Sequence, residues 1–171
     1  LIDTFNKLSN KRLDQVSYLW AKKSDAFIYY RTEGFHTTQR LHREGASTLC
    51  ILEEVNSHVD VCQLLMRDEF EKLGLGKFTE KFQDHSLRLK AYEETDCILC
   101  PSEFVRRSFL SKGFSSEKLI KVNFGFPPIE NSTSNFSDLD KEIFRILYVG
   151  QLHYRKGLRY AIEAFRKLKH P

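Results

Sequence analysis

The chain has 171 residues, of which 41% are hydrophobic and 29% are charged, and its formal net charge is +4. This length and composition are ordinary for a soluble globular protein, and no apolar run approaches the roughly 20 residues that span a bilayer. The positive charge is spread along the chain, so it suits anionic ligands or an acidic membrane surface but gives little support to nucleic-acid binding.

The two ends of the chain indicate a piece of something larger. It begins at Leu1 without an initiator Met or a signal-peptide pattern, and it stops at Pro171 just after a predicted helix. We therefore expect further sequence on both sides.

Strands and helices are predicted to alternate along most of the chain. Apolar stretches predict strands at residues 25–30, 47–54, 97–101 and 119–126. Helical patterns occupy residues 14–23, 34–46, 59–73, 82–92 and 102–113. This alternation predicts a Rossmann-like α/β fold with a parallel sheet, and the apolar strands predict that both faces of the sheet are covered.

Four of these helices show a clear apolar face or clear ends. The first has Val16, Leu19 and Trp20 on one side. The third carries Val59, Cys62, Met66, Phe70 and Leu73, and the fourth carries Phe82, His85, Leu89 and Tyr92. Ser102 is expected to cap the last helix of the series, and Gly113 to end it.

The composition changes after residue 126. Residues 127–142 are rich in Pro, Ser, Asn and Asp and have no periodicity, which predicts a linker between a first domain, 1–126, and the beginning of a second, 143–171. Two glycosylation sequons in the linker, at Asn131 and Asn135, are interpreted as chance. The second domain contributes a strand at 144–150 and a helix with Leu158, Ala161, Ile162, Phe165 and Leu168 on one face, a piece too small to bury a core of its own.

Cys97 and Cys100 form a C-x-x-C pattern, which can mark a metal site or a redox pair. Both lie in a predicted strand, where residues three apart point to opposite faces, so the pattern favours buried structural cysteines. Cys50 and Cys62 complete the four, and reduced cysteines fit a cytoplasmic compartment. No metal-ligand cluster, catalytic triad or pair of catalytic carboxylates can be argued from the spacing.

Ligands of open α/β sheets bind at the carboxyl ends of strands, and GQLHYRKG, residues 150–157, is one loop of that kind. Gly150 lets the chain turn, while Arg155 and Lys156 lie at the mouth of the following helix, whose free N–H groups and dipole favour an anion such as a diphosphate. The alternative is a solvated basic turn, and the spacing alone does not choose between them.

Two other loops carry candidate residues. In EEVNSH, residues 53–58, Asn56 or Ser57 could cap the helix, and His58 could hydrogen-bond a hydroxylated ligand as a neutral imidazole; a structural or surface role is the alternative. In RTEGF, residues 31–35, Glu33 could accept sugar hydroxyls and Gly34 could permit close approach, although a plain strand-to-helix turn is the more common meaning.

Three stretches in order resemble a known family. They are EEVNSHVDVCQLLMRDEFEKLG, AYEETDCILCPSEFVRRSFLSKGFSSEKLIKVNFGF and FRILYVGQLHYRKGLRYAIEAFRKL. Together they resemble the middle of a GT-B glycosyltransferase of family 4 (the "glycosyl transferases group 1" proteins), over residues 25–170.

The resemblance implies two Rossmann-like domains with a cleft between them, and sugar transfer that retains the anomeric configuration without a bound metal or other cofactor. The donor, a nucleotide-diphosphate sugar, would lie mainly on the second domain, where Gly150, Gln151, Arg155 and Lys156 match the diphosphate-binding turn. The acceptor, a sugar, lipid-linked or small-molecule hydroxyl compound, would lie against the first domain, near Glu33, Gly34, Asn56 and Ser57. His58 matches the family's histidine near the reacting sugar.

The chain also departs from the family pattern. Gln151 stands where the family often has Arg, which removes one cation unless Arg155 replaces it. The NFGFP turn keeps Gly125 but lacks the family's acidic residue, so it is given no ligand role. The family's glycine-rich loop would precede Leu1 and its E-x7-E glutamates would follow Pro171, so we expect this piece alone to be inactive.

A non-catalytic nucleotide-sugar-binding module or degenerate homologue is the alternative to an enzyme, and nucleic acid is not expected as a partner. Family members often work in the cytoplasm at the inner face of the membrane, and the mild positive charge permits such peripheral association.

Overall fold

A computed structural model describes residues 2–79, 82, 84–125 and 145–168. The chain divides into two compact units, Leu1–Phe124 and Gly125–Pro171, each considered by itself below. The predicted linker, with both of its sequons, lies outside the described residues.

The first unit alternates strands and helices much as the sequence predicts. Its elements in chain order are α1 (Ile2–Ala21), β1 (Ala26–Tyr30), α2 (Phe35–Arg43), β2 (Leu49–Glu53), α3 (Val59–Lys72), α4 (His85–Glu94), β3 (Cys97–Cys100), α5 (Glu103–Leu110) and β4 (Leu119–Lys121). A 3-10 turn, Ser116–Lys118, leads into β4. Ser102 caps α5 by accepting the N–H of Val105 at 3.3 Å, as its place before the helix predicts.

The four strands form one parallel sheet in the order β1-β2-β3-β4, which confirms the α/β class. The register pairs Tyr30 with Glu53, and Glu53 with Leu99. Each strand therefore pairs with the next strand along the chain. Right-handed connections that always step in the same direction place their helices on the same face of the sheet.

The core lies on that one face. Side chains of the strands pack against α3, α4 and α5 in one cluster: Tyr29, Leu52, Val59, Tyr92, Ile98, Cys100, Val105, Phe109 and Leu119. A second cluster joins α1 and α2 to β2 through Tyr18, Ala21, Leu41 and Cys50.

Much of the opposite face of the sheet is exposed among the described residues, so the prediction that both faces are covered is wrong for this part of the chain. Ile28 is 59% exposed and Ile120 is 44% exposed, at the two ends of the same face. The reason is the strand order: a sheet acquires helices on both faces when the order reverses, and these four strands contain no reversal.

Helix α1 buries a different side from its apolar stripe. Val16, Leu19 and Trp20 share an exposed side of the helix, with Trp20 74% exposed, whereas Tyr18 and Ala21 face α2 and the sheet. Among the described residues, no helix combines the length and the apolar character needed to cross a membrane.

The cysteines of the C-x-x-C pattern are buried and unpaired, which confirms the structural interpretation. All four cysteines are free thiols, and Cys62 is the half-buried one. Cys100 lies in the main cluster. Because side chains alternate along a strand, Cys97 points to the other face and the two sulfurs do not converge.

The second unit consists, as far as it is described, of an irregular segment, a 3-10 turn at Tyr154–Lys156 and the helix α6 (Leu158–Lys167). The predicted strand at 144–150 does not form over residues 145–150. A strand is held by backbone hydrogen bonds to a neighbour, and the described residues of this unit provide no second strand. Ile162, Phe165 and Leu168 on α6 are 45%, 48% and 66% exposed, as expected of a piece that cannot bury its own core.

Candidate functional site

The loops after β1 and β2 lie side by side at the carboxyl edge of the sheet. The Arg31 N–H donates to the carbonyl of Glu53 at 3.4 Å, directly linking the ends of the two neighbouring strands. This brings Glu33 and Gly34 to the same edge as Asn56, the arrangement that ligand-binding α/β sheets use. Arg31 has a φ of 53°, a left-handed conformation that costs a non-glycine residue energy.

Gly34 is required by packing in this structure. A Cβ at this position would lie 2.4 Å from Cγ of Tyr29 and 2.8 Å from Cε1 of Phe27, both too close for any side chain. The group that approaches Gly34 closely in this structure is thus an aromatic ring of β1. Glu33 is half-buried, and its carboxylate accepts the N–H of Thr32 at 3.1 Å.

The amino terminus of α2 is already occupied by a carboxylate. Asp14, buried on α1, accepts the N–H of His36 and the N–H of Thr37, each at 2.9 Å. The Thr37 hydroxyl in turn donates to the Asp14 carbonyl at 2.5 Å. An external anion therefore has no place at this helix start.

A buried ion pair follows β2. The carboxylate of Glu54 accepts hydrogen bonds from Nη2 of Arg88 and from the Tyr92 hydroxyl, each at 2.9 Å, and its other oxygen accepts the N–H of Asn56 at 3.2 Å. Glu54 is fully buried, and burial raises the pKa of Tyr92, which keeps that hydroxyl a donor. The pair thus fixes the shape of the Asn56 loop.

The network of Glu54, Arg88 and Tyr92 was not predicted from the sequence, although the sequence of α4 contains an indication of it. Arg88 and Tyr92 lie three and seven residues after His85, on the face of the helix that was predicted to be buried. A buried arginine requires a carboxylate partner.

His58 itself caps α3, so the prediction that Asn56 or Ser57 provides the cap is wrong. Its Nδ1 accepts the N–H of Asp60 at 3.2 Å, and its backbone N–H donates to Oγ of Ser108 at 2.8 Å. The ring thus accepts a hydrogen bond from a backbone N–H of the first helical turn, as a Ser or Asp side chain does at other helix starts. Ser57 is buried beside it, and Asn56 is half-buried.

The His58 ring lies among three aromatic rings. Its centroid is 5.0 Å from that of Tyr92, 5.2 Å from Phe109 and 5.7 Å from Phe114. Burial lowers the pKa of His58 to about 4, against a smaller opposing effect of the Asp60 carboxylate. The imidazole is therefore neutral at pH 7, and since Nδ1 is an acceptor, the proton resides on Nε2.

Asp60 connects His58 to two further cationic or titratable groups. One of its carboxylate oxygens is 2.8 Å from Nε2 of His85, and the other is 3.8 Å from Nζ of Lys112. A carboxylate in the first turn of α3 is favoured by the helix dipole. This helix start, like that of α2, is thus filled by the chain's own groups.

The second unit displays the predicted basic turn. The Tyr148 hydroxyl donates to the Gln151 carbonyl at 2.9 Å, and a Cβ on Gly150 would lie 3.0 Å from that hydroxyl. Nδ1 of His153 accepts the N–H of Arg155 at 3.1 Å and caps the 3-10 turn that carries Arg155 and Lys156.

Both cations of the turn are exposed and stand directly before α6, in agreement with their predicted position at the helix mouth. Gly157 begins that helix with a φ of 66°, a left-handed conformation that suits glycine, and it has no side chain with which to cap the helix.

A cluster that the sequence did not predict lies at the amino edge of the sheet. His42, Cys50 and Asp96 each place one potential metal-ligating atom so that all three atoms lie within 4.8 Å of one another. The three residues come from α2, β2 and the turn before β3. Their separations in the chain match no common ligand spacing, so the topology of the sheet had to be known to find them.

A basic groove of about 330 Å³ runs between α1 and α2 in the first unit. It is lined by Lys11, Gln15, His36, Gln39, Arg40 and Arg43. None of these was predicted as a site residue. Arg40 is engaged by Glu44 at 2.8 Å and stacks on the Tyr18 ring at 3.6 Å.

These features define an α/β protein with a parallel sheet, a loop-rich carboxyl edge and a separate basic turn. No family model, curated protein or solved structure matches the chain.

Proposed function

We propose that the chain is part of a retaining glycosyltransferase of the GT-B class, which transfers a sugar from a nucleotide-diphosphate sugar to a hydroxyl acceptor. The observation that carries the proposal is the turn before α6, where exposed Arg155 and Lys156 precede a helix that begins at a glycine and has no acidic residue in its first turn. The order of the family-like motifs along the chain adds to it.

The start of α6 differs from those of three helices in the first unit. Helix α2 is capped by Asp14, α3 by His58 with Asp60 in its first turn, and α5 by Ser102 with Glu103 in its first turn. In α6, the first turn carries no acidic residue. A helix start without a carboxylate and next to two cations favours an external anion.

The turn would serve the reaction by stabilising the leaving group. As the glycosidic bond of the donor breaks, negative charge grows on the nucleoside diphosphate. Lys156, Arg155 and the dipole of α6 would stabilise that charge more in the transition state than in the bound donor. The backbone around Gly150 and Gln151 would shape the same turn.

The first unit would hold the acceptor at the carboxyl edge of its sheet. A neutral His58 with its proton on Nε2 can donate a hydrogen bond to a sugar oxygen, whereas an imidazolium would compete for the anionic donor. Glu33 and Asn56 offer an acceptor and an amide from neighbouring loops. Positioning of the acceptor hydroxyl, more than acid–base chemistry, would then be the contribution of this unit.

The experiment compares Lys156→Ala with Lys167→Ala in the full-length protein. Calorimetric titration with UDP- and GDP-sugars should show affinity about 5- to 150-fold lower for Lys156→Ala, because a charge-assisted bond worth roughly 1–3 kcal/mol is lost. Lys167, at the far end of α6, is the matched control and should bind the donor as the unaltered protein does. Equal affinity of both variants for every donor would contradict the diphosphate assignment.

A non-catalytic nucleotide-sugar-binding module is the second candidate. It is favoured by the structural duties of His58, whose ring both caps α3 and fills an aromatic cage. Release of nucleoside diphosphate and formation of a glycosylated product, followed with the same donors, separate the candidates. Donor binding without turnover in the presence of hydroxylated acceptors would support the binding module.

A further inference from the structure

The cluster at the amino edge of the first unit's sheet contains three chemically different ligand types. They are the imidazole of His42 in the last turn of α2, the thiol of Cys50 in β2 and the carboxylate of Asp96 just before β3. Nitrogen, sulfur and oxygen donors of this kind are the set that Zn²⁺ binds, in tetrahedral geometry. The cluster lies at the opposite edge of the sheet from His58 and Asn56.

The separations fit a single small ion. Nε2 of His42 is 3.4 Å from Oδ2 of Asp96. Two ligands at bond lengths of about 2.0–2.1 Å in a tetrahedral site are roughly 3.3 Å apart, so these two atoms are already placed. The distances to the Cys50 sulfur are at most 4.8 Å, compared with roughly 3.6 Å expected for a zinc-bound pair.

Two carboxylates contact the two ring nitrogens of His42. Its Nδ1 is 3.2 Å from Oε1 of Glu94, while its Nε2 faces Asp96. A neutral imidazole has one N–H and can satisfy one of these carboxylates. A metal cation bound by both Nε2 and the Asp96 carboxylate would account for the second contact. The hydrogen bond from Nδ1 to Glu94 is then the carboxylate–histidine arrangement that orients metal-binding histidines.

The surroundings of Cys50 offer a second, independent observation. The Thr38 hydroxyl is completely buried and lacks a hydrogen-bond partner among the described residues. It lies close to both the Cys50 thiol and the Tyr29 hydroxyl. A metal-bound thiolate would be a stronger acceptor for this hydroxyl than a neutral thiol, because hydrogen bonds to charged acceptors are the stronger ones.

We propose that His42, Cys50 and Asp96 bind one zinc-type divalent ion, with Glu94 orienting His42 and a water completing the tetrahedron. The ion would join α2, β2 and the turn between α4 and β3, and so stabilise the amino edge of the sheet. This site is separate from the proposed glycosyl transfer at the carboxyl edge and does not depend on it.

Cobalt(II) is the probe, because a cobalt-bound thiolate gives a near-ultraviolet charge-transfer band. Titration of the reduced full chain should show one equivalent bound with that band, and zinc should displace the cobalt. The band should disappear in Cys50→Ala and persist in Cys62→Ala, the matched control on α3. Glu94→Gln should weaken the affinity about 10- to 100-fold, the effect usual for a residue that orients a ligand.

Absence of stoichiometric cobalt binding, or an unchanged band in folded Cys50→Ala, would overturn the proposal. Since Cys50 lies in the core, circular dichroism must establish that the variant folds. If it does not, Asp96→Asn decides the question, because this side chain is partly exposed and the amide keeps an acceptor for the Cys50 N–H at 2.6 Å. Its cobalt affinity should fall at least tenfold, and an unchanged affinity would show that cobalt binds without Asp96 and would overturn the proposal.

Discussion

Two structural roles of His58 both favour its neutral form. Its Nδ1 must remain an acceptor to cap α3, and its ring must stay uncharged among Tyr92, Phe109 and Phe114. The charged groups that face it are Asp60, Lys112, Arg88 and His85, and of these the carboxylate alone favours protonation. The folded protein therefore resists protonation of this residue more strongly than an unfolded chain does.

This resistance predicts a dependence of stability on pH. In the unfolded chain His58 takes up a proton below its ordinary pKa of about 6.5, while in the folded protein it does so near a pKa of about 4. Between these values the unfolded state binds the extra proton, so the free energy of unfolding falls as the pH is lowered. The contribution of His58 should amount to roughly 3 kcal/mol across the window.

Urea unfolding at pH 7.5 and pH 4.5 measures this effect by comparison with His58→Asn, which retains a good helix cap. The fall in stability between the two pH values should be smaller in the variant by about 2–3 kcal/mol. Ser108→Ala is the control, because it removes the acceptor of the His58 N–H without a titrating group. It should cost about 1 kcal/mol at both pH values. Equal pH dependence in the unaltered chain and His58→Asn would show that the ring is not held neutral.

Single residues were the hardest to assign from the sequence. His58 was predicted to lie at the start of α3, but Asn56 or Ser57 was expected to cap the helix, because those residue types are more common caps. The Glu54–Arg88 pair and the grouping of His42 with Asp96 depend on contacts across 34 and 54 residues. Local spacing carries no information about such contacts.

At the scale of elements, α2 depends on a residue of another helix for its start. Gly34 precedes α2 and has no side chain with which to cap it. Asp14 supplies the carboxylate from α1, so one side chain both satisfies two backbone N–H groups and joins the two helices.

Asp14→Ala should therefore destabilise the first unit by about 1–3 kcal/mol, since the two N–H groups lose their acceptor in a buried place. Thermal or urea unfolding followed by circular dichroism gives the difference. Gln15→Ala, at the exposed neighbouring position, should stay within about 0.5 kcal/mol of the unaltered chain. If Asp14→Ala lowers the free energy of unfolding no more than Gln15→Ala does, water must hydrogen-bond the two N–H groups as well as the carboxylate does.

Most elements of the first unit were predictable because each is long enough to show its period. The stripe from Val59 to Leu73 and the apolar stretches of β1, β2 and β3 identify their elements with boundaries correct to within two residues. The stretch at 144–150 was misleading, because apolar residues indicate a strand but cannot provide its neighbour. For α1, the sequence shows an apolar stripe but not the element that packs on the helix. The side that is buried carries Tyr18 and Ala21 instead of the stripe.

At the scale of the molecule, both apolar clusters lie within the first unit. A chain ending at residue 124 should therefore fold cooperatively, with a single sharp urea transition and a near-ultraviolet circular dichroism spectrum typical of packed aromatic rings. A peptide of residues 125–171 should show little helix, because α6 has 10 residues and isolated helices shorter than about 12–15 residues are marginal in water. A broad, non-cooperative transition of the shorter chain would contradict this division.

The consecutive strand order also has a consequence for how the sheet is made. Since β1, β2, β3 and β4 pair in the order of synthesis, each strand finds its partner already present when it leaves the ribosome. In a sheet whose order reverses, one edge of an early strand must stay unpaired until a strand made much later arrives. Here the sheet can form by adding one strand and its helix at a time. The edge of the sheet that awaits the next strand is then always the strand made last.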